Sequence, residues 1–151
     1  QLLERTGLRV ACRSRWADGP DAQADVLLGD TLGEMALYYG LADVALLGGS
    51  FAPLGGQNLI EAAACTCPVV LGPHTFNFAQ AAELACAAGA AQRVPDMAQA
   101  MQLATALAHN ATALAQAQDA AAQFAQAHRG AAQATAQTVA ALLCRDPVAL
   151  G

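Results

Sequence analysis

VALLGGSFAPLGGQNLIE, residues 44–61, decides the fold: a continuous apolar run passes through two glycine pairs into a polar helix opening. Residues 44–47 are apolar without alternation, the pattern of a parallel strand covered on both faces. Helical periodicity resumes only after the second pair, so Gly48-Gly49 and Gly55-Gly56 form a strand-to-helix loop whose backbone takes φ > 0 or approaches another group closely. Ligands of open α/β sheets sit at the carboxyl ends of parallel strands. Gln57 and Asn58 open a helix expected to reach Ala64, and its next turn carries Glu61. Backbone N–H groups, an amide and a carboxylate therefore meet at one place, which suits a phosphorylated, hydroxyl-rich ligand such as a nucleotide or nucleotide sugar. The same glycine spacing also fits a loop that merely turns the chain.

Outward from this loop, strand and helix alternate. Strands are expected at residues 8–12, 26–28, 44–47, 68–71 and 91–94, the second and fourth of them buried. Gly29-Asp30-Thr31-Leu32-Gly33-Glu34 leads into a short helix over residues 35–39 ended by Gly40, and this turn should share the sheet edge of the central loop. Asp30 or Thr31 could equally serve only as a helix cap. After the fourth strand, Gly72-Pro73 precedes His74, which could donate a hydrogen bond or titrate near neutrality, or could simply cap the turn. Thr75, Phe76 and Asn77 then lead into a helix to about Ala88, with at least one of Phe76 and Phe78 used in packing. Ala-rich helices follow at residues 97–108, 112–127 and 131–143, and His109 and His128 are expected at their surfaces or ends. Together these elements predict an α/β fold, a Rossmann-like doubly wound parallel sheet.

The 151 residues suffice for one domain. Seven Arg, no Lys and 12 acidic residues give a net charge of −5, which argues against a nucleic-acid surface. No cation lies between residues 31 and 92, so a lysine-dependent phosphate loop is excluded there. Any anion must rely on backbone amides or on cations supplied from outside the stretch. Arg13 and Arg15 could reach an anionic ligand or a neighbouring domain, although solvated loop charges are the commoner case. Trp16, alone in that polar loop, should pack against the domain. Five cysteines at irregular spacing read as thiols rather than a disulfide framework, and Cys65-Thr66-Cys67 has no matching ligand pair for a metal. No cofactor or metal is expected, and no apolar span is long enough for a bilayer. Residues 1–6 look like the last turns of a helix closed by Gly7, so the chain is expected to enter an α/β unit midway. An upstream strand and a preceding domain would then lie outside it.

The motifs Gly29-Asp30-Thr31-Leu32-Gly33-Glu34, Ala42-Asp43-Val44-Ala45, Gly48-Gly49-Ser50, Gly55-Gly56-Gln57-Asn58-Leu59-Ile60-Glu61-Ala62-Ala63 and Gly72-Pro73-His74-Thr75-Phe76-Asn77-Phe78 occur in order. Together they resemble the C-terminal half of 3-deoxy-D-manno-octulosonic acid (Kdo) transferases, GT-B glycosyltransferases of lipopolysaccharide synthesis. The resemblance runs from about Gly7 to the last helix. It implies that residues 1–151 are an N-terminally truncated donor-binding domain, the C-terminal domain of a GT-B glycosyltransferase. Leu32, Gly33, Glu34, Asn58, Leu59, Ile60 and Glu61 would contact the CMP moiety of CMP-Kdo, with Ser50 and Gly56 lining the same cleft and His74 a possible addition. The acceptor, lipid A precursor, the general-base glutamate and the membrane-associating surface at the cytoplasmic face of the inner membrane would belong to the N-terminal domain. The chain alone would be inactive. Two departures are visible: Leu32 replaces the usual methionine, and Gln57 the frequent histidine. A Pro-Arg donor contact of the family would fall upstream of Gln1. Outside that resemblance, a GT-B domain for another nucleotide sugar and a non-catalytic nucleotide-binding module remain as alternatives.

Overall fold

The computed structural model describes residues 3–17, 19–129 and 139–140. A short 3-10 helix, Leu3–Thr6, ends at Gly7 with φ +74°. Then come, among the described residues, five strands, β1 (Val10–Cys12), β2 (Val26–Leu28), β3 (Ala45–Leu46), β4 (Val69–Leu71) and β5 (Ala91–Arg93), short 3-10 helices at Arg13–Arg15 and Phe76–Phe78, and five longer α-helices. The helices are α1 (Met35–Leu41), α2 (Leu59–Ala64), α3 (Ala79–Ala87), α4 (Met97–Ala108) and α5 (Ala111–Ala127). Of the expected last helix, only residues 139–140 are described, and they are helical; Cys144 lies outside the described residues.

Every strand pairing is parallel, but the strands form two ladders, β1 with β2 and β3-β4-β5. In the first ladder Val10 faces Val26; in the second Ala45 faces Val69, and Val69 faces Ala91. All three residues of β4 are buried, as expected of a central parallel strand. β2 corrects the expectation of a buried strand, because Leu27 and Leu28 are exposed. An apolar run in sequence marks a strand, whereas burial depends on what covers it.

The core gathers around β4. Leu47, Leu59, Val69 and Leu71 pack with Ala62 and Ala63 of α2, Ala82 and Ala85 of α3, and Ala121, Phe124 and Ala125 of α5. The small alanines let α2 and α5 approach closely, and Phe124 supplies bulk where they would leave space. Phe78 packs on this core, while Phe76 stays exposed.

Local signals set most helix ends. Asn58, Asp96 and Asn110 cap α2, α4 and α5, their side chains accepting from the backbone N–H of Ile60, Gln99 and Ala113. His109 and His128 close α4 and α5 with their Nδ1 atoms 2.8 Å from the carbonyl oxygens of Thr105 and Phe124. Gly40 does not end α1; the helix passes through it to Leu41, because a helical glycine lacks only a side chain, not a backbone donor.

Candidate functional site

The central loop is held by three glycine-bearing turns that hydrogen-bond one another. Ser50 O accepts from His74 N at 2.9 Å, Gly49 O from Gly56 N at 3.2 Å, and Gly55 O from Asn77 N at 3.2 Å. The Asn77 amide adds a bond from Nδ2 to Leu54 O at 3.1 Å. Gly55 and Gly56 have φ of +90° and +77°, and a Cβ on Gly55 would collide with the Asn77 side chain, so both positions require glycine. Ser50 is wholly buried. Its hydroxyl donates to Leu47 O at 2.6 Å and accepts from Gly72 N at 2.8 Å. Its side chain fixes the loop's shape and has no surface from which to touch a ligand.

This knot delivers the start of α2. Asn58 Oδ1 accepts from Ile60 N at 3.1 Å, while its Nδ2 donates to Glu61 Oε1 at 3.0 Å. The Glu61 carboxylate is thereby steered by the residue that caps its helix, and it stays exposed. Leu59 is 1% exposed, so only its backbone can reach a ligand. Gln57 is exposed and His74 half-buried. Among the described residues, the N–H groups of Gln57, Asn58 and Leu59 have no protein acceptor.

The second turn is organised by its own network. Glu34 stands at the N-cap of α1 without capping through its side chain. Its carboxylate instead takes Nη2 of Arg13 on Oε1 at 2.7 Å, and the Thr31 hydroxyl on Oε2, with Tyr38 Oη at 3.5 Å. The Thr31 hydroxyl holds the Glu34 carboxyl below the ordinary carboxylate range, Arg13 adds to this, and partial desolvation opposes it. Asp30 accepts from the Ser14 backbone at 2.8 Å and its hydroxyl at 2.6 Å. Neither Asp30 nor Thr31 caps α1. The N–H groups of Leu32, Gly33 and Glu34 have no acceptor among the described residues, Gly33 has φ +79°, and the Leu32 side chain is 99% exposed.

The two turns meet. Gly33, Met35 and Ala36 on one side, and Glu61, Ala64 and Cys65 on the other, line a single cavity of about 400 Å³. Of the residues singled out in sequence, Gly33 and Glu61 thus face one space. The wall between them is largely aliphatic, suited to a flat ring.

The sequence leaves Arg13 between an anionic contact and a solvated loop charge, and gives no sign of a role for Arg93. Arg13 is not a solvated loop charge: it is half-buried, braces Glu34, and lies over the Trp16 ring at 5.0 Å from the centroid. Arg93 donates from Nη1 to Thr75 Oγ1 at 2.9 Å and from Nη2 to Glu83 Oε1 at 2.7 Å. Both lie outside the cation-free interval 31–92 and reach into it, Arg13 to Glu34 of the first turn and Arg93 to Thr75, in the turn after β4, and to Glu83. No group of His, Cys, Asp or Glu that could hold a metal occurs among the described residues. No described helix is long and apolar enough to cross a membrane.

Parallel strands, with capped helices and amide-bearing glycine turns around a shared cavity, make a Rossmann-like α/β domain of the kind found in the C-terminal half of GT-B glycosyltransferases. The chain matches the structure of the C-terminal CMP-Kdo binding domain of WaaA from Acinetobacter baumannii with a TM-score of 0.75 and 28% identity, covering 83% of this chain and 65% of that one. It is 62% identical over 80 residues to the 3-deoxy-D-manno-octulosonic acid transferase of Bordetella pertussis, which is 53% of this chain and 19% of that protein. The corresponding enzyme of Haemophilus influenzae is 46% identical over 61 residues, 40% of this chain and 14% of that protein. The chain therefore aligns with less than a fifth of the length of these two relatives. No family model matches it. The likeness to the C-terminal domain of Kdo transferases, first visible in five motifs, is thus found again in sequence identity and in three-dimensional structure.

Proposed function

We propose that this chain is the donor-binding part of a Kdo transferase and holds the CMP moiety of CMP-Kdo between its two glycine turns. The observation that carries this is the shared cavity of Gly33 and Glu61. Its aliphatic wall of Met35, Ala36 and Ala64 accommodates the pyrimidine, while Glu61, aimed by Asn58, accepts from ribose hydroxyls. The unpaired amides of residues 32–34 and 57–59 are the donors for carbonyl and phosphate oxygens. Leu32 and Leu59 contribute through their backbones, Ile60, whose N–H is taken by Asn58 Oδ1, by fixing the start of α2, and Ser50 and Gly56 by shaping the loop. In the whole enzyme a separate N-terminal domain supplies the general base and binds lipid A precursor at the cytoplasmic face of the inner membrane, so the chain alone transfers nothing.

Titration of residues 1–151 with CMP, UDP and GDP tests the reading. Preference for CMP supports it; equal or tighter binding of UDP or GDP assigns the domain to another nucleotide sugar, and no binding of any of them refutes it. Glu61→Ala should weaken CMP binding about tenfold or more, the scale of one hydrogen bond to a charged group.

A further inference from the structure

The only arginine between residues 16 and 128 is Arg93, at the end of β5. Its two partners differ sharply. Glu83 is 74% exposed, so that ion pair contributes little. Thr75 is 6% exposed, and Arg93 is the partner of its hydroxyl among the described residues. Thr75 lies within the turn that clasps the donor loop: His74 N donates to Ser50 O, and Asn77 N to Gly55 O. A Cβ on Gly56 would stand 3.4 Å from His74 O and 3.7 Å from the Thr75 Cα, so the space between the two backbones holds no more than one methyl group. Gly56 is two residues from Asn58, which aims Glu61. Hydrogen bonds and the intervening chain, from Arg93 to Thr75, from Asn77 to Gly55, and from Asn58 to Glu61, thus connect the guanidinium to the carboxylate proposed to hold the nucleotide.

We propose that Arg93 is a positioning residue for the donor site: by gripping Thr75 it fixes residues 74–77 against Gly55-Gly56 and so sets the entry of α2 that presents Asn58 and Glu61. This rests on the donor-site reading given above, but its mechanical part stands apart from it. Packed backbones transmit such a displacement because they have no slack, and couplings of this kind change affinity by about three- to tenfold.

Two measurements on the chain of residues 1–151 test the proposal. In amide hydrogen exchange, Arg93→Ala should speed exchange at Asn77, whose N–H closes the clasp, and at Gly56, whose N–H closes the donor loop on Gly49 O, without speeding it in α5. In CMP titration, Arg93→Ala should weaken binding about three- to tenfold, Thr75→Val should do likewise, and the double variant should be no worse than either. Asn110→Ala, which removes the cap of α5, is the control for general destabilisation and should leave CMP affinity unchanged. Unaltered exchange at Gly56 and Asn77 overturns the bracing, whether or not the wild-type chain binds CMP. Additive effects of the two substitutions on affinity, or a loss equalled by Asn110→Ala, overturn the positioning role. Absence of CMP binding by the wild-type chain overturns the donor-site reading instead, and exchange then decides the bracing alone.

Discussion

Gly72 and Ser50 are in contact along two lines at once. The Gly72 N–H donates to Ser50 Oγ at 2.8 Å, and the position a Gly72 side chain would take is already filled by the Ser50 carbonyl oxygen. The close approach lets β4's exit and the donor loop share one buried hydroxyl. Gly72→Ala should therefore cost about 3 kcal/mol or more, because backbone atoms rather than a flexible side-chain end obstruct the new methyl. Urea denaturation of the variant checks this; a change within about 0.5 kcal/mol, the range of an ordinary surface substitution, would mean that the contact relaxes freely.

Asn58 and Asn110 cap helices in the same way, yet only Asn58 also touches Glu61. Alanine at either position should cost about 1 kcal/mol of stability. CMP affinity should fall in Asn58→Ala alone. Paired thermal melts and titrations separate the capping effect, common to both, from the aiming of the carboxylate.

Acid should expose the network around Glu34. Its folded pKa is depressed, foremost by the Thr31 hydroxyl, so the stability it contributes is fully present above its ordinary value of 4.5. That contribution is lost as pH falls through the lower, folded value. Asp25 and Asp30 shift in the same direction through Arg9 and Ser14, and steepen the same acid limb. Thr31→Val should raise the folded pKa of Glu34 and flatten the limb below about pH 5. Denaturation curves collected between neutrality and acid measure the slope; an identical slope in the variant would show that Thr31 does not set the titration.

Burial pushes the Cys67 thiol up to about 11, with the side chain 1% exposed beneath α2. The thiolate is the reacting species. Iodoacetamide at mildly alkaline pH should therefore leave Cys67 unlabelled until the domain unfolds, as peptide mass mapping would show. Cys65, which lines the candidate cavity and is half-buried, should be alkylated in the folded protein and be shielded by saturating CMP.

Much of the architecture was open to reading because it is written in local patterns. The boundaries of α4 match the sequence expectation, and those of α5 begin one residue earlier at Ala111, since alanine propensity and the Asp96 and Asn110 caps act within a turn. The glycine pairs at 48–49 and 55–56 announced a strand-to-helix loop for the same reason, and Gly49, Gly55 and Gly56 all have positive φ. Gly33 and Glu61 were proposed for one site from separate motifs, and they line one cavity.

What the amino-acid order determined by itself was therefore the succession of strands, turns and caps, each set by residues a few positions apart. The fold alone decided that Arg13 would meet Glu34 across 21 positions, Arg93 would meet Thr75 across 18, and Ser50 would spend its hydroxyl on Gly72 across 22. Those partnerships depend on strand register and on how the loops at the strand ends pack, and neither quantity is carried by any short stretch of chain. Charge and hydroxyl could be counted in advance; which of them would be buried, paired or left facing a ligand was settled only when the parallel strands brought their carboxyl ends together.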